Sequence, residues 1–214
     1  MLGRVLTKGR DRKTKEDALL VNRLLDLGNV PLKFRGCSIE QIPDTCMYRE
    51  IVQEWADNIK KYVDAGRWLF MNGPFGTGKT GAGAIILKEV LLHDGSAFMI
   101  TQNELVDYKL NSDHVPFGQY SLEQVIRDAN ILLLDDIGSG RNKEVVVELL
   151  EWVCSTRYNN DRSLIITTNL DPEGDEIKEF LTGKVISMTV EKAMFVDVSE
   201  YNWREALGDI KEAD

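Results

Sequence analysis

The chain has 214 residues, of which 43% are apolar and 29% are charged, and its formal net charge at pH 7 is -9. This length accommodates one well-buried domain with a short appendage, and the composition is typical of a globular protein rather than a disordered one. The acidic charge excludes a general nucleic-acid coat, because phosphate contacts need a basic surface. Any DNA site must therefore be small or shared between subunits.

The first 29 residues are predicted to form a basic arm that ends in a short helix. Residues 1–15 carry six basic side chains and one acidic side chain, a local charge of +5 that leaves -14 for the rest of the chain. The following stretch, KEDALLVNRLLDLG, places several leucines on one helical face and ends at Gly28. A helix this short buries little by itself, so we expect residues 1–29 to dock on a partner and residues 30–214 to form the core.

Three features predict a reduced, cytoplasmic protein. The three cysteines are widely spaced and include no C-x-x-C pair, which favours neither a disulfide framework nor a zinc site. The N-terminus carries charges where a signal peptide needs an apolar segment. No apolar run approaches the roughly 18 residues that a membrane-spanning helix needs.

Strands and helices are predicted to alternate after an irregular lead-in and a helix over about 47–64. The predicted strands are 67–72, 96–100, 130–135, 163–168 and 193–198. The predicted helices between them are 79–93, 102–110, 121–129, 143–158 and 173–181. This alternation predicts an α/β fold, a three-layer sandwich in which helices cover both faces of a mainly parallel five-stranded sheet.

A glycine-rich loop, NGPFGTGKTGAG, joins the first predicted strand to the next helix and contains the phosphate-loop pattern G-x-x-x-x-G-K-[ST]. Its glycines allow successive backbone N–H groups to converge on a phosphate, and the following helix adds the positive end of its dipole. We expect Lys79 to reach the β- and γ-phosphates and the Thr80 hydroxyl to hold Mg²⁺. The predicted nucleotide-binding residues are Gly73, Pro74, Phe75, Gly76, Thr77, Gly78, Lys79 and Thr80.

Polar side chains follow two later strands at the edge where ligands bind in such sheets. In ILLLDDIG, we expect Asp135 to bind Mg²⁺ through water and Asp136 to polarise an attacking water. Two adjacent carboxylates repel each other, so the pair favours a cation or a base nearby. In LIITTNL, the Asn169 amide could orient water against the γ-phosphate, although an asparagine at a strand end is also a common turn residue.

The order of GPFGTGKT, LLLDDIG, a long helix and IITTNL resembles the AAA+ ATPases of the DnaC/IstB group, which are bacterial and phage helicase loaders and transposition ATPases. The segments NVPLKFRGCSIEQI, TQNELVDYKL and EYNWR are also similar to that group, so the resemblance covers about residues 29–206.

The resemblance implies an AAA+ type P-loop NTPase fold, with no separate lid in the roughly 45 residues after Thr168. It further implies ATP as the nucleotide, self-association into a ring or spiral, binding of single-stranded DNA, and loading of a DnaB-type replicative helicase. A transposition helper ATPase of the same fold is the alternative within the group. A nucleotide-dependent binding switch with little hydrolysis is the alternative outside it.

The chain departs from this group where a basic residue of one subunit contacts ATP held by its neighbour. The corresponding stretch reads GKVISM, so the resemblance places Lys184 at the first basic position and Met188 at the second. Arg157 is an alternative donor. A lysine offers a point charge without the planar fork of arginine, so we expect hydrolysis to be slow and dependent on assembly. The predicted catalytic residues are Asp136, Asn169 and Lys184.

The segment that would contact DNA carries little positive charge. Lys109 and Arg127 are the basic residues between positions 101 and 129, and Tyr108 could stack on a base. Acidic residues outnumber them, which predicts weak electrostatic binding. The same side chains also fit solvated helix faces with a core tyrosine.

Overall fold

A computed structural model of the chain describes residues 19–110, 120–138 and 143–203. All five predicted strands are present there, with ends that differ from the predicted ones by at most two residues. The strands are β1 (Trp68–Asn72), β2 (Ala97–Thr101), β3 (Ile131–Ile137), β4 (Ser163–Thr168) and β5 (Ala193–Asp197).

The strands form one sheet in the order β2-β3-β4-β1-β5, and every pairing is parallel. The predicted α/β fold with a five-stranded parallel sheet is therefore confirmed. Register brings the carboxyl ends together, since Thr101 pairs with Asp135 and Asn72 pairs with both Thr168 and Asp197. Side chains that follow these strands consequently meet at one edge of the sheet.

Helices cover both faces of the sheet. They are α1 (residues 19–27), α2 (Leu32–Arg35), α3 (Met47–Asp57), α4 (Ile59–Asp64), α5 (Lys79–Leu92), α6 (Gln102–Leu110), α7 (Leu122–Asp128), α8 (Lys143–Asn159), α9 (Asp175–Phe180) and α10 (Gly183–Lys192). Alternate residues of β3 serve two separate cores, because Ile131 and Leu133 pack with α5 while Leu132 and Leu134 pack with α8. The result is the predicted three-layer sandwich.

Two helical predictions were incomplete. The helix expected over 47–64 is interrupted at Asn58, whose side-chain amide donates to the Glu54 carbonyl, 3.0 Å away. Helix α10 was not predicted, because its sequence GKVISMTVEK is rich in β-branched residues, which favour strands. Burial of Val185, Met188 and Thr189 along one face stabilises it nonetheless.

Between β4 and Trp203, the last residue that the structure describes, the chain packs against the sheet and forms no separate lid, since α10 contacts β1, β5 and α8. No helix within the described ranges is long and apolar enough to cross a bilayer.

Helix α1 packs on the core, and the turn that follows it covers the outer edge of β2. Leu25 is 1% exposed and belongs to the core on the α5 side. The Gly28 carbonyl accepts from the Met99 N–H at 2.9 Å, and the Asn29 amide donates to the Met99 carbonyl at 3.0 Å. Backbone groups of an edge strand are thereby paired. The division of the chain at residue 29 stays a prediction, and the basic stretch lies outside the described residues.

Candidate nucleotide-binding site

The phosphate loop connects β1 to α5 at the carboxyl edge of the sheet. Gly76 and Gly78 adopt φ angles of 83° and 101°, which side-chain-bearing residues rarely adopt, so the backbone can curve sharply here. A Cβ atom on Gly78 would lie 2.7 Å from Nε1 of Trp203. Helix α5 begins at Lys79, directly after the loop, so the positive end of its dipole faces the same place.

The Lys79 side chain is folded along the loop that precedes it. It is 7% exposed, and its Nζ donates to the carbonyls of Gly73 and Pro74, both at 2.7 Å. The carbonyl oxygens therefore fix the ammonium group inside the curve of the loop. An ammonium held in this position can compensate the charge of a bound phosphate.

A chain of hydrogen bonds links the loop to the two aspartates. The Thr80 hydroxyl donates to Oδ1 of Asp135 at 2.9 Å, and the Thr167 hydroxyl donates to the same oxygen at 2.6 Å. The Thr167 hydroxyl also accepts from the Asp136 N–H at 2.9 Å, and the Asn169 amide donates to Oδ1 of Asp136 at 2.8 Å. All four strand-end side chains thus share one network with Thr80.

Burial raises the pKa of the Asp135 carboxyl above its usual value. Hydrogen bonds from Thr167 and Thr80 and the charge of Lys79 act in the opposite direction, while the charge of Asp136 adds to the increase. The ionised form of Asp135 therefore destabilises the folded state. A cation bound at this carboxylate would remove part of that destabilisation. A hydroxyl and a carboxylate oxygen are suitable ligands for Mg²⁺.

Asp136 has an unusual backbone conformation. Its φ angle is 62°, in the left-handed region, and the register between β3 and β4 shifts between Leu134 and Ile137. This shift turns Asp136 out of the regular strand, so its side chain can reach Asn169. Left-handed backbone at a non-glycine residue costs energy and is common at functional sites.

These residues line a cavity of about 740 Å³, a size typical of small-molecule sites. The lining includes Asp135, Asp136 and Asn169 together with five residues of the phosphate loop, namely Phe75, Gly76, Gly78, Lys79 and Thr80, whereas Gly73, Pro74 and Thr77 lie outside it. Apolar side chains form much of the remaining wall, namely Phe34, Ile42, Ala82 and Ile85. Lys79 and the loop N–H groups at the polar part of the lining, together with the apolar wall, suit a ligand that combines phosphates with a flat ring.

The cavity does not include every predicted site residue. Lys184 lies on α10 outside the cavity lining, where its Nζ is 3.1 Å from Oε1 of Glu151. Its side chain is 58% exposed, so it stays a prediction for contact with a neighbouring subunit.

The predicted DNA-binding residues each contact a carboxylate of this chain. The Tyr108 hydroxyl donates to Glu123 at 3.1 Å, Lys109 lies 3.8 Å from Glu148, and Arg127 donates through two nitrogens to Asp128, both at 2.9 Å. Much of the positive charge is therefore neutralised locally, in agreement with a weak interaction with phosphates. The assignment to DNA stays a prediction.

The alternative proposal for Arg157 is wrong. This side chain is 0% exposed, and its guanidinium donates to the carbonyls of Ile126, Ala129, Asn130 and Ser163. A buried guanidinium with four backbone acceptors ties α8 to α7, to the turn before β3 and to the first residue of β4. It cannot reach a nucleotide in another subunit without unfolding this region.

Comparison with solved structures identifies the fold. A crystal structure of the DnaC helicase loader superposes with a TM-score of 0.65 and 22% identity, covering 78% of this chain and 99% of that one. The chain has the AAA+ fold of the helicase loaders. The replication initiator DnaA, in a structure bound to AMPPCP and single-stranded DNA, matches this AAA+ fold with a TM-score of 0.60 and 18% identity, over 82% of this chain and 55% of that one.

Comparison of sequences confirms the predicted resemblance to DnaC-type AAA+ proteins. The replicative helicase loader DnaI of Bacillus subtilis is 24% identical over 178 residues, which are 80% of this chain and 54% of that protein. The chain thus spans about half the length of this curated relative. No protein-family model matches the chain.

Sequence reasoning missed several side chains around the AAA+ phosphate loop. Thr167 was part of a quoted strand, but nothing in its neighbours indicates that its hydroxyl joins the two aspartates. Tyr48 and Trp203 contact the loop from α3 and from the end of the described chain, 29 and 126 residues away from Thr77. Only the aromatic EYNWR segment offered a signal for Trp203.

Proposed function

We propose that the chain is an ATP-dependent loader that places a DnaB-type replicative helicase on single-stranded DNA during DNA replication. The observation that carries the proposal is that the phosphate loop, both aspartates and Asn169 line one cavity in a chain whose curated relative is a replicative helicase loader. The DnaA neighbour bound to AMPPCP, an analogue of ATP, supports ATP as the nucleotide.

In this proposal the loop N–H groups and Lys79 bind the β- and γ-phosphates. Thr80 and Asp135 would hold Mg²⁺, and the ion would neutralise charge on the phosphate oxygens. Asp136 accepts the proton of the attacking water, and Asn169 orients the Asp136 carboxylate through its 2.8 Å hydrogen bond. The Thr167 hydroxyl donates to the Asp135 carboxylate and accepts from the Asp136 N–H. These two bonds hold both aspartates in place before a ligand arrives.

Helix α1 is the proposed docking element for the helicase. Its exposed leucines, Leu19, Leu20 and Leu27, are 72%, 57% and 70% exposed, whereas Leu25 on the opposite face is buried in the core. An apolar face on a helix that is already anchored by its other face is suited to a groove on a partner.

Self-association is proposed to complete the catalytic site. Lys184 would supply a cation to nucleotide held by a neighbouring subunit, since it is exposed and lies outside its own cavity. A positive charge on the transferred phosphoryl group contributes roughly 10³ to 10⁵ in rate when arginine supplies it. The smaller effect expected of lysine makes the proposed ATPase slow.

One observation favours a second candidate, a nucleotide-dependent switch that rarely hydrolyses ATP. Met188 stands at the second position where the DnaC/IstB group has a basic residue. It is 7% exposed and packs in the core on the buried face of α10. It can contribute no charge to an active site. Under this alternative ATP binding alone would control the partner.

Loading of helicase onto circular single-stranded DNA tests the proposal. The wild-type chain should place the helicase of the same genome on the circle in the presence of ATP, measured by strand displacement, and Lys79→Ala should fail. The double variant Leu20→Ser/Leu27→Ser should bind ATP normally but lose helicase association, while Leu92→Ser, at a 50% exposed leucine on α5, serves as the matched control.

Two results would contradict the proposal. Equal loading with and without the chain would remove the loader function. If Lys79→Ala loaded the helicase as well as the wild type does, ATP would have no role in loading. Loading with ATP but without turnover would favour the switch.

A further inference from the structure

The chain segment after β5, residues 198–203, runs along the phosphate loop, and we call it the C-terminal strap. At its start, the Val198 N–H donates to the Asn72 carbonyl at 2.7 Å, immediately before the loop. At its end, the Trp203 N–H donates to the Gly76 carbonyl at 2.9 Å, inside the loop. The strap therefore contacts the loop at two separated points.

The side chain of Trp203 also contacts the phosphate loop, together with Tyr48 of α3. The Trp203 Nε1–H donates to the Tyr48 hydroxyl at 3.3 Å, and this hydroxyl donates to the Thr77 carbonyl over a long 3.4 Å contact. The indole lies directly against Gly78. Tyr48 is 1% exposed, so water does not compete for its hydroxyl.

These contacts engage the carbonyls on the outer side of the loop. In a trans peptide unit the C=O and the following N–H point in opposite directions. Holding the Gly76 and Thr77 carbonyls towards the strap and α3 therefore directs the N–H groups of Thr77 and Gly78 away from them, to the inner side of the loop. Inner N–H groups are the donors that a phosphate loop presents to its ligand.

We infer that Trp203 and Tyr48 are positioning residues for phosphate binding: they hold the outer carbonyls of the loop so that its N–H groups stay oriented towards the β-phosphate. The inference rests on the proposed function in that it requires nucleotide at this loop. It adds that affinity depends on a segment over a hundred residues away in sequence. It also predicts that Trp203, which lines the cavity, reports nucleotide binding by its fluorescence.

The test is the affinity of the full chain for Mg²⁺·ADP, measured by calorimetry for five proteins. Trp203→Ala should raise Kd about tenfold, which corresponds to about 1.4 kcal/mol. Tyr48→Phe, which loses only the hydroxyl, should raise Kd about threefold, in the range of one net hydrogen bond. Trp203→Phe keeps an aromatic ring but loses the long Nε1–H contact with Tyr48, and it should stay within about twofold of the wild type. Trp152→Ala, which removes another half-buried tryptophan on α8, should leave Kd unchanged.

Two further readouts separate positioning from a general structural role. The melting temperature without nucleotide should fall similarly in Trp203→Ala and Trp152→Ala, whereas only the former should lose ADP affinity. The ADP-induced change in tryptophan emission should persist in Trp152→Ala and disappear in Trp203→Phe.

The outcomes distinguish this inference from the proposed function. Wild-type ADP binding with an unchanged Kd in Trp203→Ala and Tyr48→Phe would overturn the inference and leave the proposed function standing. Loss of affinity in Trp152→Ala equal to that in Trp203→Ala would also overturn it, because the effect would then reflect stability. A wild-type chain that binds no ADP or ATP would overturn both.

Discussion

Thr167→Val tests whether one hydroxyl organises the two aspartates. The substitution preserves shape but removes the donor to Asp135 and the acceptor for the Asp136 N–H, which lie at 2.6 and 2.9 Å. The Asp136 N–H is partly buried, and the loss of its acceptor costs at most about 1–3 kcal/mol, while a lost hydrogen bond to a charged group costs about 1.5–3 kcal/mol. Asp135 retains the Thr80 hydroxyl as a donor, which limits the second cost.

We therefore expect the free energy of unfolding to fall by about 2–4 kcal/mol, measured by urea denaturation. For a chain of this size the melting temperature should fall by roughly 5–15 °C. ATP turnover should fall as well, because the backbone N–H of Asp136 loses its bond to Thr167 and only Asn169 still holds the carboxylate. Thr167→Ser, which restores the hydroxyl, should recover most of both losses.

Thr189→Val provides the matched control. Thr189 is also buried, at 2% exposure, but its hydroxyl donates to the Val185 carbonyl, which also accepts the helical N–H of the same residue. Its removal should cost less than about 1 kcal/mol. A Thr167→Val protein that unfolds and turns over ATP like Thr189→Val would refute the role of the bridging hydroxyl.

Three other predictions follow from the same site. Asp136→Asn should bind ATP with wild-type affinity but hydrolyse it more slowly, as measured by phosphate release. Asparagine tolerates the left-handed backbone at φ 62° but cannot accept a proton. Undiminished phosphate release would exclude Asp136 as the base. Asp135→Asn should raise the free energy of unfolding at neutral pH without nucleotide. Because the folded-state pKa of Asp135 is raised above its unfolded value, its contribution to stability is present below the unfolded pKa and is lost as pH rises through the folded pKa; denaturation curves that show the variant less stable than the wild type at pH 8 would contradict this. Lys184→Ala should leave ATP affinity unchanged and flatten the rise of specific activity with protein concentration. If the variant keeps that rise, another residue supplies the cation.

The fold was predictable because its main signals are local. Uninterrupted apolar runs such as ILLLD are typical of strands buried on both faces, and β3 is buried in this way from Ile131 to Asp135. The glycines of the phosphate loop carry their own backbone requirement. Helix α10 could not be predicted, since burial of three residues against the sheet outweighs a composition that favours strands.

The candidate site was predictable only in part, for a related reason. The phosphate loop and the aspartates stand in contiguous motifs, and parallel strand ends must meet at one edge. The contacts of Thr167, Tyr48 and Trp203 depend on pairings between distant segments, which local patterns do not encode. Arg157 was misjudged because a basic residue near a helix end is usually solvated, whereas here four backbone carbonyls bury it.

Calorimetric titration of Mg²⁺·ATP into the wild-type chain and into Lys79→Ala tests the central claim most directly. Lys79 is the cation fixed at the phosphate loop by two carbonyls at 2.7 Å, so its removal should leave the charge of the β- and γ-phosphates without compensation from this side chain. The account predicts saturable binding by the wild type and no measurable heat for Lys79→Ala, in a variant that still unfolds cooperatively on heating without nucleotide. Equal affinity for the two proteins would contradict it.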